Sequence, residues 1–329
     1  MGLFLGNQLI SPAELVNTGS SATLITKSIT QNGTYNASSD SADGYSSVTV
    51  NVSGGIGIPR EVKNGVYQMP TESFTFSLPS DATDLSDNVL NSAFANCENL
   101  TSAVFTNLTT ISGDNALEGA FFNCENLDSV SFPSLISISG NYAMAYIFNS
   151  CPSLTSVSFT ALTTISGDNA LESVFEGSEN LASVSFPALT TISGESAMSN
   201  MCQQQTSLTS VSFPMLTIIS GFEALIGAFR DCSSLTSVSF PMLTTISGNR
   251  ALETAFADCR NLDSVSFPAL TSQSFGEETN RFGNMLSGCL NVTVHFPNNL
   301  QLVIGNWDDV TNGFGGYNTT VLFDLPATE

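Results

Sequence analysis

The chain has 329 residues and a net charge of -22, with seven lysines and arginines against 29 aspartates and glutamates. A surface this acidic repels phosphate backbones and anionic lipid, which excludes nucleic-acid binding and a basic membrane-docking patch. Nothing approaches a run of 18 apolar residues, so no membrane insertion is expected.

Residues 1–58 are expected to form a small β module and a linker. The opening "MGLFLGNQLISPAEL" has no basic n-region and no long apolar stretch, so it does not read as a secretory signal. Its first part suggests a short strand and turn. Asn32-Gly33 carries a hairpin signal, Asp43-Gly44 marks a second turn, and "SSVTVNV" alternates as a strand does. The stretch from Gly54 to Gly57 reads as a flexible linker. Residues 59–96 are expected to cap the region that begins at Cys97. Asp81, Asp84 and Asp87 within this cap lack calcium-loop spacing and read as turn and cap residues.

From residue 97 to 290 the chain repeats. Phe105, Phe132, Phe159, Phe186, Phe213, Phe240 and Phe267 stand at intervals of 27, and Leu100 and Ile111 begin columns with the same step. One unit reads L-x-S-V-S-F-P-x-L-x-x-I-S-G-x-x-A-[LM]-x-x-x-F-x-x-C-x-x. Val130 and Phe132 point one way and Ser129 and Ser131 the other, which predicts a short strand buried on one side. Pro133 cannot donate to a ladder and stands where the strand ends. Ser139-Gly140 turns the chain. Ala143, Met144, Ile147, Phe148 and Cys151 then come at helical spacing, with Asp114, Asn141, Asp168 and Asn249 standing where an N-cap is wanted. A unit of strand, turn and short helix cannot bury its own apolar face, so the units must stack into an α/β solenoid.

Cys97, Cys124, Cys151, Cys232 and Cys259 share one repeat position, where Ser178 and Gln205 stand in the other coils. Cys202 takes the place of the second phenylalanine, and Cys289 closes the last, longer coil. Seven cysteines, five of them at the coil period, read as small, reduced core residues and not as a disulfide set. No spacing suits a metal site, and no cofactor motif or P-loop is present. With a single histidine, His295, no Ser-His-Asp set can be argued. "GFGG" at 313–316 reads as a turn. The chain is expected to be a non-enzyme.

Two surfaces could serve recognition. On the strand side the polar positions hardly vary: Ser102, Ser129, Ser156, Ser183, Ser210, Ser237 and Ser264 form a ladder of hydroxyls that could bond sugars. On the other side the outward positions differ from coil to coil. Phe122, Tyr142, Tyr146, Phe222, Ile226 and Arg230 stand there, and exposed aromatics with an arginine are what binding hot spots favour. These six are the candidate recognition residues. Residues 291–329 form the second cap, in which Trp307, Phe314, Tyr317 and Phe323 offer bulk to cover the last layer.

The unit, with its "FPxxLxxI", "AF" and cysteine, resembles the BspA-type leucine-rich repeat over residues 90–300. That resemblance implies a leucine-rich-repeat fold and no shared catalytic residues. The segment "ITQNGTYNASSDSADGYSSVTVNV" resembles a module of tail and baseplate proteins of phages of Gram-positive bacteria. Together the two imply a phage or prophage tail protein. Residues 1–58 would dock to other tail proteins, and the solenoid would bind a glycan or protein of the host surface. A homo-oligomer, such as the trimer usual for tail fibres, would suit that role. The alternative is a BspA-like adhesin of the bacterial cell surface.

Overall fold

The computed structural model describes residues 24–28, 47–51, 57–63, 66–68, 74–78, 81–271, 281–300 and 314–326. The Asn32-Gly33 and Asp43-Gly44 turns, Gly54, Gly55 and Trp307 lie outside them.

Four strands form the first sheet, in chain order: β1 (Leu24–Ser28), β2 (Ser47–Asn51), β3 (Gly57–Lys63) and β4 (Val66–Gln68). β1 and β2 are parallel, and β3 is antiparallel to both β2 and β4. The alternating "SSVTVNV" is β2. Because β3 runs through residue 58, this sheet joins residues on both sides of that position.

The repeats stack as a parallel solenoid. Each "SVS" is a strand, as at Ser129–Ser131 and Ser156–Ser158, and each pairs in register with the equivalent residues one coil away. Hydrogen bonding divides this side into three sheets, which break after Ser156–Ser158 and after Ser210–Ser212. A second ladder runs along each coil's "TI" pair, seven strands deep, from Asp84–Leu85 to Thr245–Ile246.

The third side is not the expected helix. From Asn115 to Cys124, alternate N–H groups leave the coil. Asn115, Leu117, Gly119, Phe121 and Asn123 donate to carbonyls of the next coil, at 2.7–3.0 Å. The N–H groups between them close tight turns, such as Ala120 to the carbonyl of Leu117. Every fourth residue has positive φ: Asn115 (54°), Gly119 (55°) and Asn123 (56°). A left-handed residue every four positions forbids an α-helix and winds a ribbon of β-turns instead. Burial keeps the same period, with two residues out and two in: Asn141 and Tyr142 are exposed, Ala143 and Met144 buried.

Asp114, Asn141 and Asp168 therefore cap no helix. Each side-chain oxygen accepts the N–H of the equivalent residue one coil on: Asn141 at 2.7 Å, Asp168 at 2.9 Å and Glu195 at 2.8 Å. Asp87 starts this ladder by accepting from Asp114, and Asp84 accepts from the N–H and hydroxyl of Ser112.

The core is built of columns. Phe105, Phe132, Phe159, Phe186, Phe213, Phe240, Phe267 and Phe296 stack face to face, with centroids 4.6–5.6 Å apart. A second stack, Phe94 to Phe175, resumes at Phe229 after Cys202 interrupts it. At the serine-glycine turn the coils come so close that only glycine fits: a Cβ on Gly140 would lie 2.0 Å from the carbonyl oxygen of Gly113. At the far end Phe314 is buried against Phe282, and Phe323 packs on Phe296. Tyr317 does not cover the core; it is 67% exposed.

Candidate functional site

The seven cysteines are free and buried. Their column has a chemical task. Thiols of this column donate to the carbonyl of the second-column residue one coil back: Cys124 to Phe94, Cys151 to Phe121, Cys232 to Cys202 and Cys259 to Phe229, at 3.0–3.1 Å. Ser178 does the same through its hydroxyl, and Gln205 through its amide. The column thus selects for a donor, which is why serine and glutamine can replace cysteine. Burial pushes the thiol of Cys151 up to about 12 and that of Cys289 to about 11. Buried thiols held protonated are poor nucleophiles and poor metal ligands. Among the described residues no group of three or more His, Cys, Asp or Glu could hold a metal ion.

His295 lies on the strand ladder with Nδ1 2.9 Å from Asp324 Oδ1, and its in-register neighbour is Ser266. The Ser266 hydroxyl donates to Ser239, at 2.8 Å, and not to the imidazole. The three residues are therefore neighbours in a ladder without the bonding of a nucleophile and its base. The serine ladder itself faces solvent and is exposed at Ser156, Ser183, Ser210 and Ser237.

The six candidate residues all lie on the outer side of the turn ribbon. Its period of four keeps i and i+4 on one face, as a helix would. Phe122, Tyr142 and Phe222 are each 40% exposed. Tyr146 and Ile226 are half-buried, and Arg230 is exposed. They do not form one site. Tyr142 and Tyr146 belong to one coil, and both stand at positive-φ positions (52° and 56°). The Tyr146 hydroxyl donates to Glu172 Oε1 of the next coil at 2.7 Å, and Asn149 Nδ2 donates to Glu176 Oε2 at 3.2 Å. Burial and this bond to Glu172 raise the Tyr146 phenol well above its ordinary range.

Phe222, Ile226 and Arg230 lie three coils further on. The Arg250 guanidinium sits 6.0 Å from the Phe222 ring centroid and pairs with Glu223 and Glu253. Arg230 lies 3.5 Å from Asp231. The sequence places Asn149 among the outward positions but does not single out Glu172, Glu176 or Arg250. Their contacts cross coils, and only the 27-residue period could have found them. Another outward group is Ile218, in the "TI" ladder itself, with Met215 and Met242 three residues before that ladder's strands; other coils carry asparagine, alanine, serine or threonine at these positions.

Parallel ladders stacked at a 27-residue period over columns of leucine and phenylalanine define a leucine-rich-repeat protein. Within that class, the family model described as "BspA type Leucine rich repeat region" matches in six copies, at residues 64–145, 87–222 and 197–302. The chain belongs to that family. Among solved structures it is similar to a leucine-rich repeat protein from Bacteroides ovatus, with 22% identity and a TM-score of 0.32, covering 75% of this chain and 66% of that one. It is also similar to the T. pallidum leucine-rich repeat protein, with 21% identity and a TM-score of 0.33, covering 58% and 86%. A third is a leucine-rich cell surface protein from Faecalibacterium prausnitzii, with 15% identity and a TM-score of 0.20, covering 80% and 92%. A comparison with curated proteins gives no match.

Proposed function

We propose that this chain is a bacterial cell-surface adhesin of the BspA-like kind, in which the solenoid holds a recognition surface away from the cell. The observation that carries this reading is the division of labour within each coil. Backbone ladders, the donor column and the stacked rings occupy the inward positions, so the outward positions of the turn ribbon are free to differ. Family membership and the solenoid support the adhesin reading. The tail-protein reading rests on residues 1–55, of which only β1 and β2 are described, and neither the family nor the fold favours it.

The test has two arms. Intact producing cells are treated with a protease and the chain is tracked with an antibody to the solenoid. Beads coated with the purified chain are then offered to candidate target cells. Loss of the chain from intact cells together with bead adherence is the expected result. A chain protected inside the cell, or found in purified phage particles with tail proteins, overturns the reading.

A further inference from the structure

We propose that Tyr142 and Tyr146, with Asn149, Glu172 and Glu176, form a platform for an uncharged sugar on the turn face. The proposal rests on the adhesin reading and specifies its ligand class.

The first observation is backbone conformation. Positive φ is cheap for asparagine and glycine, and costly for a bulky aromatic. At the Tyr142 position the other coils carry Asn88, Asn115, Asn169, Ser196, Glu223 and Arg250, and at the Tyr146 position Ser92, Gly119, Ser173, Asn200, Gly227 and Thr254, none of them aromatic. One coil places tyrosine at both. Residues kept in a conformation they disfavour cluster where function demands the side chain.

The second observation is the chemistry around the rings. Tyr142 presents an exposed ring, and Tyr146 presents a half-buried ring whose hydroxyl is fixed by Glu172. An aromatic face covers the C–H side of a pyranose, while carboxylate and amide groups beside it bond the hydroxyls. Asn149 and Glu176 are already oriented towards each other, so these polar groups are held before a ligand arrives.

The third observation is charge. No lysine or arginine occurs between Lys63 and Arg230. A sugar carrying carboxylate, sulfate or phosphate would meet Glu172 and Glu176 without a compensating cation. The site therefore selects neutral sugars. Phe222 offers no equivalent platform, because Arg250 lies by its ring and is held by two glutamates.

The experiment compares the full chain with a Tyr142→Asn/Tyr146→Ser double variant on a glycan array of neutral and acidic oligosaccharides. Each hit is then measured by calorimetry. Both substitutions install residues that neighbouring coils carry at the same φ, so the variant is expected to fold. Wild-type binding to neutral glycans, weakened at least tenfold in the variant with melting unchanged or higher, is the expected result. Binding to acidic glycans alone, binding to none, or equal binding by the variant overturns the proposal. Bead adherence separates the two claims. If variant beads adhere to cells as wild-type beads do, the platform is refuted and the adhesin reading stands. If wild-type beads do not adhere, the adhesin reading fails with it.

Discussion

Replacing Gly167 with alanine tests whether glycine sets the spacing of the coils. The new Cβ would lie 2.0 Å from the carbonyl oxygen of Gly140 and 2.6 Å from its carbon. A carbon–oxygen contact needs roughly 3.2 Å, so the coils must part by about 1 Å at this turn, because packed interiors give little. Two hydrogen bonds span the same gap, from Ser166 and Gly167 N–H to the Ile138 carbonyl at 2.9 and 3.4 Å. Opening the gap weakens both, at about 1 kcal/mol each. Residual strain of the overpacked turn adds about 1–2 kcal/mol, for a total of about 3–4 kcal/mol. In a domain of this size that corresponds to a melting temperature lower by roughly 6–16 °C.

The assay is thermal and urea unfolding monitored by circular dichroism. Ser166→Ala serves as the control: it is the adjacent, exposed residue and should change stability by less than about 0.5 kcal/mol. If Gly167→Ala melts within a degree of the wild type, the close approach does not hold the coils together, and the reasoning about this column fails.

The donor column makes a second prediction: Cys151→Ser, which keeps a donor as Ser178 does, should be milder than Cys151→Val by about 1 kcal/mol in urea unfolding. Thiol titration with an aromatic disulfide at pH 8 should find almost no reactive thiol in the native chain and all seven in urea, with Cys289, pushed up less than Cys151 or Cys232, reacting before those two. The same burial predicts alkaline weakening. A free thiol titrates near 8.5 and the buried ones higher, so the folded state holds its protons more tightly than the unfolded chain. That stability is complete below about pH 8.5 and is lost as pH rises towards about 12; urea midpoints that stay flat from pH 8 to 10.5 would contradict it. Finally, Asp168→Ala removes the acceptor of the Glu195 N–H and should cost about 1 kcal/mol, while Asp168→Asn, copying Asn141, should cost less than half of that by the same measurement.

The period, the two phenylalanine columns, the one-sided strands and the buried free thiols are all legible in the sequence. Each depends on one residue type recurring every 27 positions. The helix reading fails for a physical reason. A helix advances 100° per residue and a four-residue turn ribbon 90°, so over eight residues they drift apart by about 80°, less than the width of an apolar stripe. The discriminating signal stands in the outward positions. Asn115, Gly119 and Asn123 are three left-handed formers spaced by four, and a helix has no use for them. The N-cap reading fails in a related way. Asp114 does present an oxygen to a backbone N–H, but the N–H belongs to Asn141 a coil away and not to its own segment. The recognition residues are found by their variation between coils. Their spacing by four also divides them into a Tyr142–Tyr146 group and a Phe222–Arg230 group, but the partners Glu172 and Arg250 are not readable there, because they act across coils.

A solenoid that satisfies its backbone coil by coil changes what an unusual residue means. In an irregular fold a tyrosine with positive φ is one strained position among many local accidents. Here each of the two backbone positions is filled seven times in one chain, and most of the other coils carry asparagine, serine or glycine, with Glu223, Arg250 and Thr254 as exceptions. The coil that begins at Leu181 shows the structural kind of departure. Cys202 vacates a ring position in the core, while Gln205 replaces a small donor by a long one, still bonding the Phe175 carbonyl at 2.6 Å but leaving its Oε1 without a partner. Loss of bulk at one inward position stands beside gain at another, so that departure is answered within the core. The departures at Tyr142 and Tyr146 point outward. The Tyr146 hydroxyl recovers part of their cost through Glu172, while the Tyr142 ring stays exposed, which is why the search for a ligand begins at this coil.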